Sequence, residues 1–257
     1  MKKRQVFQLK WIVLFILVWE FFARLGIMNN YILPPFSQVF FNTLNEIIYG
    51  ELMIKTYNSL IVVIMSFLFS LLLSLFLSAM CVVSNSLYDC IVTICNIFST
   101  IPGVAILPII MMIAGINSEA MNLLIIHSTL WPLIINIVCG FGEVPLIYKE
   151  YAINIELSPR EFVTEILFMA SLPNIIKGIR IAWGRAWRAL ISAEMIFGVI
   201  GVNGGIGYYI FQNRAYANMT NVMSGVLVIV FIGILMDFVL FRKIEDMTIK
   251  KWGLINE

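Results

Sequence analysis

The chain has 257 residues, of which 61% are hydrophobic and 12% charged, with one histidine and a formal net charge of +2. So little polar surface cannot coat a soluble globule of this size, which excludes a freely soluble enzyme or binding module and points to a membrane protein. The basic residues cluster at a few places instead of forming a stripe, so no nucleic acid partner is expected.

A spanning helix needs about 20 predominantly apolar residues. Six runs meet that demand, at 11–27, 57–83, 93–115, 120–142, 177–200 and 220–241. Met1-Lys2-Lys3-Arg4 before the first run has the look of a signal peptide. Glu20 and Arg24 interrupt its apolar core, however, and no small-x-small cleavage site follows, so an uncleaved helix is expected. Glu20 and Arg24 are four apart in the favourable order and read as a pair within that helix. Lys2, Lys3, Arg4 and Lys10 precede the first run, Lys149 and Arg160 lie between the fourth and fifth, and Arg242, Lys243, Lys250 and Lys251 follow the sixth. With six spans those places share one side, which the positive-inside rule makes cytoplasmic, both termini included. The opposite loops hold little beyond Lys55 and Arg214. Residues 1–257 read as a single transmembrane domain with no soluble domain, low-complexity tract or internal repeat.

Within the runs, Cys81, Cys90, Cys95 and Cys139 have no C-x-x-C spacing and read as small core hydrophobes, so no metal site or disulfide framework is expected. Pro102, Pro108 and Pro132 are expected to kink their helices. His127 is alone and reads as an interhelical hydrogen-bond donor. Arg180 lies near the cytoplasmic boundary and is expected to snorkel. Arg185 and Arg188 sit deeper in the fifth run and need partners or a wet cavity. Asp237 in the sixth run is the expected partner of one of them, the alternative being that Arg188 faces the pathway and helps an anion pass. Glu194 lies about 240° around the helix from Arg188 and cannot pair with it, so its partner stays open. Gly204-Gly205-Ile206-Gly207 follows an apolar helix and opens no βαβ unit, so a tight turn is expected there.

The segment 145–175 differs from the rest. Glu150, Glu156, Glu161 and Glu165 crowd between two apolar runs. Ser158-Pro159-Arg160-Glu161 is an S-x-x-E capping box with proline at the first helical position, so a short helix is predicted from Pro159. Phe162, Ile166 and Met169 form its apolar stripe, and Pro173 is expected to end it near Ser171. A second short helix is predicted over 146–155. The stripe has two readings that the residues leave open: it packs on its own bundle, or part of it receives a soluble partner.

Here the chain resembles the permease subunits of binding-protein-dependent ABC importers, in particular the nitrate, sulfonate, taurine and bicarbonate branch. That family's cytoplasmic signature begins Glu-Ala-Ala, has a glycine a few residues on and ends Leu-Pro; Glu150-Tyr151-Ala152 and Leu172-Pro173 fit its ends. Leu33-Pro34-Pro35-Phe36-Ser37-Gln38-Val39, Ile101-Pro102, Asn136, Gly140, the run Gly178 to Trp187, Ala193-Glu194-Met195 and Gly204 to Tyr208 also follow its pattern. Tyr151 departs from it, as do Phe168-Met169, where many members carry an earlier Leu-Pro, and Glu156, which stands at the glycine position. A left-handed backbone there would cost glutamate about 1 to 2 kcal/mol. Either Glu156 carries that strain or the turn is displaced onto Ser158-Pro159.

The resemblance implies an all-α polytopic fold, type I ABC importer permease-like (MetI-like), with about six transmembrane helices and a cytoplasmic coupling helix-turn-helix. It implies a multi-pass subunit of a prokaryotic cytoplasmic membrane that works with two ABC ATPase subunits, a second permease copy and an extracytoplasmic solute-binding protein. The solute would be a small one, such as a sulfonate or nitrate-like anion. Glu150, Ala152, Ile155, Glu156, Leu157, Ser158, Pro159, Glu161, Phe162, Leu172 and Pro173 would form the coupling loop. The sequence contains no G-x-x-x-x-G-K-[ST], so ATP and Mg are expected on the partners, with no cofactor and no catalytic residue here. Two rival classes are an intramembrane enzyme, for which H-E-x-x-H and G-x-S-x-G are absent, and an ion-gradient-driven secondary transporter, which predicts inverted repeats and midplane acids.

Overall fold

The computed structural model describes residues 2–26, 32–199 and 204–250. Every regular element among them is helical: α1 (Lys2–Arg24), α2 (Phe36–Ile48), α3 (Leu52–Val83), α4 (Asn85–Ser99), α5 (Gly103–Ala114), α6 (Ser118–Gly142), α7 (Leu146–Asn154), α8 (Pro159–Glu161), α9 (Phe168–Phe197), α10 (Ile206–Ala215), α11 (Met219–Leu235) and α12 (Arg242–Glu245). Short π-helical turns at Phe162–Leu167 and Met236–Phe241 join α8 to α9 and α11 to α12, and a third, Asp246–Lys250, follows α12.

The segments Leu52–Val83, Ser118–Gly142, Phe162–Phe197 and Met219–Thr248 are each long and apolar enough to cross a membrane. The second and fourth expected spans fall on α3 and α6. The first lies in α1, up to the edge of the described residues, and its apolar residues from Trp11 to Phe22 are largely exposed. The third is not a straight helix. Instead α4 and α5 meet at a bend of 101°. Proline supplies no amide at position 102 and drives Ile101 out of helical geometry, so the chain stops at Ser99 and restarts at Gly103. By contrast, Pro108 and Pro132 lie inside unbroken helices.

Pro173 does not end its helix as expected. α8, the π turn and α9 run without a break from Pro159 to Phe197. The register has already slipped by one residue in the π turn, and the Ser171 hydroxyl donates to the carbonyls of Leu167 (2.7 Å) and Phe168 (3.1 Å). Such adjustments let apolar helices accept proline.

Contacts divide the chain into two compact units: the residues up to Ser59 with Glu194–Phe231, and Leu60–Ala193 with the residues from Ile232 on. In the first, the Leu33-Pro34-Pro35 turn is tied to α1. The Trp19 indole donates to Pro34 O at 3.1 Å. Glu20 accepts the Ser37 amide at 3.0 Å and the Ser37 hydroxyl at 2.9 Å, while Arg24 donates to it at 2.6 Å. The expected Glu20–Arg24 pair is therefore present, and the same carboxylate closes the start of α2, where Pro35 has no side chain to offer.

In the second unit α4 and α5 both pack on α6. Cys81 and Cys95 sit in a buried cluster with Leu130, Ile134 and Val138. Cys90 and Cys139 are exposed, so only half of the cysteines are core residues. α6 and α9 approach closely where the sequence places small residues: a Cβ on Gly178 would lie 2.7 Å from Asn136 Cβ, and one on Gly140 would lie 2.9 Å from Asn174 Cβ. Asn174 also donates to Glu143 at 2.6 Å. Gly178→Leu is expected to lower apparent stability by about 1 to 3 kcal/mol through overpacking. Gly233→Ala, which meets no atom within 4 Å, should leave it unchanged or higher. Thermal melting of the detergent-solubilised protein, read side by side for both variants, checks this.

Candidate functional site

The acidic segment folds as two helices around one turn. α7 begins after Pro145 and ends in a reciprocal pair of backbone bonds: the Leu157 amide donates to Ala152 O at 3.0 Å and the Glu156 amide to Ile153 O at 3.1 Å. This is the Schellman closure, whose first residue past the helix must adopt a left-handed backbone. That residue is Glu156, at φ +55°. The turn is therefore not displaced onto Ser158-Pro159. Glutamate carries the conformation that glycine adopts freely, and α10 ends the same way on Ala217, at φ +56°.

Two residues later the capping box forms. The Ser158 amide donates to Glu161 Oε2 at 2.8 Å and the Glu161 amide to Ser158 Oγ at 3.4 Å. The Ser158 hydroxyl, and then its amide, hold the Glu161 carboxyl below the ordinary carboxylate value of 4.5. A carboxyl held low stabilises the charged form, so the box is whole at neutral pH and is lost only in acid, below that value.

Glu150, Glu156, Glu161 and Glu165 are all exposed. Ala152 is buried, Leu157, Phe162, Leu172 and Pro173 are half-buried, and Ile155 is exposed. The expected stripe is shifted: Met169 is exposed and Leu167 takes the buried place, because the π turn changes the angular spacing. Within this segment the apolar exposure is greatest on α7, at Leu146 (73%), Ile147 (68%), Tyr151 (57%) and Ile153 (75%). Sequence reasoning had singled out only Tyr151 among these, and as a departure from the family pattern. α7 is apolar on most of its circumference, so no stripe marked a face.

The intramembrane charges are arranged differently from expectation. Asp237 pairs with Arg180, not with Arg185 or Arg188: Nε donates to Oδ1 at 2.5 Å and Nη2 to Oδ2 at 2.8 Å, a bidentate fork. Arg180 Nη1 also reaches Glu245 at 3.3 Å. Arg185 lies five residues on, about 7.5 Å up the helix and 140° around it, and so faces elsewhere. Arg185 and Arg188 instead line a cavity of about 360 Å³ beside the α4–α5 bend, with no hydrogen bond or ion pair to any described residue. His127 lines it too, and neither ring nitrogen has a partner among the described residues, so the expected interhelical hydrogen bond is not made. Its ring meets the rings of Phe98 and Trp131 edge-on.

Glu194 finds the partner that sequence left open. One oxygen accepts the Ser59 hydroxyl at 2.6 Å, and the other accepts the Gly207 amide at 2.7 Å. The Ile206 amide in turn donates to Ser59 Oγ at 2.9 Å. The glycine-rich start of α10 thus holds a carboxyl group of its own chain. Among the described residues no group of His, Cys, Asp and Glu is placed to hold a metal ion.

Residues 70–243 match the family described as binding-protein-dependent transport system inner membrane component. The chain belongs to that family. The matched stretch contains the whole α7–α9 segment, Arg185, Arg188 and Asp237. Among relatives, it is 29% identical over 154 residues to the nitrate import permease protein NrtB of Synechocystis, covering 60% of this chain and 54% of that one. It is 25% identical over 237 residues to the putative aliphatic sulfonates transport permease protein SsuC of Bacillus subtilis, covering 92% and 84%. To the bicarbonate transport system permease protein CmpB of Synechocystis it is 32% identical over 131 residues, covering 51% and 45%. The chain thus spans about half the length of the nitrate and bicarbonate permeases it matches and most of the sulfonate one. As a member of an inner membrane family with several membrane-crossing helices, it is an all-α polytopic membrane protein.

Two outcomes are expected from this geometry. Glu156→Gly should raise apparent stability by about 1 kcal/mol by relieving the left-handed glutamate, seen as a higher melting temperature, whereas Glu156→Val should lower it. In a double-mutant cycle, Arg180→Gln and Asp237→Asn should couple by about 0.5 to 1 kcal/mol, whereas Arg185→Gln and Asp237→Asn should be additive.

Proposed function

We propose that this chain is the transmembrane subunit of an ATP-driven importer, passing a small anion such as a sulfonate or nitrate-like ion that an extracytoplasmic binding protein delivers. It works as one of two permease copies, with ATP and Mg held by two partner ATPase subunits. Both of its termini lie in the cytoplasm of a prokaryotic cell.

The observation that carries this reading is α7. It is a nine-residue helix that exposes Leu146, Ile147, Tyr151 and Ile153 to no partner in its own chain. Burying a side chain of that size is worth about 1.5 to 3 kcal/mol, so leaving four in water makes sense only where something else covers them. The exposed glutamates around it restrict that partner to one of complementary charge. α7 is joined by a hydrogen-bonded turn to a helix that continues unbroken to Phe197. A push on α7 is therefore delivered to the membrane. The relatives named for nitrate, aliphatic sulfonates and bicarbonate support an anionic solute.

Ile153→Asp, Glu150→Lys and Leu157→Asp should leave membrane insertion intact. They should abolish co-purification with the cognate ATPase and lower binding-protein-stimulated ATP hydrolysis at least tenfold. Co-purification and vesicle uptake at parental levels for all three would mean that this segment does not couple the motor to the pathway.

A further inference from the structure

We propose that the cavity beside the α4–α5 bend is a small-oxyanion site built into the permease itself, with Arg185 and Arg188 as its binding forks. The inference rests on the import reading above and adds to it a place where the solute pauses inside the chain.

The first argument is charge. Arg185 and Arg188 are three residues apart and therefore share a face of α9. Both line the same cavity of about 360 Å³, and no aspartate or glutamate lines it with them. The other arginines considered above within the helices are matched by acids: Arg24 by Glu20, and Arg180 by Asp237 and Glu245. Both residues are exposed in the chain, and within a membrane two guanidinium groups with no acid beside them are costly unless an anion joins them.

Hydrogen-bond donors supply the second argument, because the cavity is lined by more of them than the chain satisfies. Neither ring nitrogen of His127 nor the Trp131 indole nitrogen has a partner, although all three are buried. A neutral imidazole carries one N–H and an indole one, so two of the residues that line the cavity each hold a buried donor that the described residues leave unmet. Gly103 and Val104 also line the cavity, and their amides stand at the start of a 12-residue helix whose preceding Pro102 offers no side-chain cap. The first amides of a helix have no intrahelical acceptor.

Forks, orphaned N–H groups and a helix start all call for an acceptor-rich anion without donors of its own. Nitrate and an alkylsulfonate share that chemistry, and a guanidinium matches their paired oxygens in plane. The phosphate of a lipid headgroup has it as well. A pathway site must also release its ion, so binding should be weak, with no buried carboxylate needed for eviction.

The test uses the full-length permease, delipidated in detergent, with sodium nitrate and sodium methanesulfonate titrated against sodium chloride at equal ionic strength. A saturable rise in melting temperature is expected for the parent and for Arg214→Gln, which lies outside the cavity. The midpoint concentration should rise at least tenfold in Arg185→Gln and in Arg188→Gln, and should rise in Arg188→Lys, where charge is kept but the fork is lost. Unchanged midpoints in the Arg185→Gln, Arg188→Gln double variant would overturn the proposal. So would an equal response to chloride, or a response confined to added phosphatidylglycerol vesicles, which would make the cavity a lipid site. If a glutamine variant fails to fold, Arg188→Lys with the parental midpoint is enough to overturn it. Because this reading needs no ATPase, a parental oxyanion response in a chain whose α7 variants transport normally would support the site while removing the coupling role of α7.

Discussion

Every helix that starts inside an apolar envelope presents amide donors with no acceptor, and this chain closes two of those starts with carboxyl groups brought from another helix. Glu20 of α1 closes α2, and Glu194 near the end of α9 closes α10. In both cases the residue before the helix is one that cannot cap it, proline at 35 and glycine at 205. An orphaned amide in an apolar medium costs on the order of several kcal/mol, so the acid and the helix start must be placed together or not at all. This explains why Glu20 and Glu194 stand within apolar helices of a chain with only 15 acidic residues. They are long-range caps that fix which helix lies beside which.

The segment from α7 to α8 solves the same problem locally. Glu161 closes α8 from within its own first turn, and α7 is closed at its other end by backbone alone. Because both closures fall within the stretch from Ala152 to Glu161, the turn between the two helices is held by four backbone-directed bonds. The left-handed Glu156 is the one residue in it that opposes the geometry. A turn tied this way passes force without bending first, a quality required of any element that must move a membrane helix from outside the membrane. The strain at Glu156 is compatible with that role because its neighbours determine the backbone on both sides.

Local features were legible in the sequence and distant ones were not. The S-x-x-E pattern specified its hydrogen bonds because donor and acceptor are three residues apart. The Glu20–Arg24 pair was legible for the same reason. Glycines and small residues at 140 and 178 were noticed as pattern only, since the neighbours that need them small, Asn174 and Asn136, lie on another helix. Arg180 was misjudged because hydropathy ranks charges by depth, whereas pairing is decided by angle around the helix. The continuation of α9 through Pro173 was hidden because the rule that proline stops a helix assumes regular register upstream, and a π turn had already broken that register. A kink at Pro102 was legible from the proline, but the size of the bend, 101°, was not, because the run 93–115 is apolar throughout and hydropathy carries no direction.

What the charges do in this chain follows from how each is neutralised. An arginine matched by a carboxylate, like Arg180, is a structural tie whose loss exposes its partner. An arginine with no acid in reach is a different object. It keeps its field in the surrounding space, and where that field meets orphaned N–H groups the space selects for anions by the same rule that places Glu194 against Gly207. The chain therefore uses one chemistry in two ways. Where it supplies the acid itself, the helix start is permanently closed and the fold is fixed. Where no acid of its own lines the space, as beside the α4–α5 bend, the first amides of α5 have no side-chain cap, and an anion from outside is the group whose chemistry suits them.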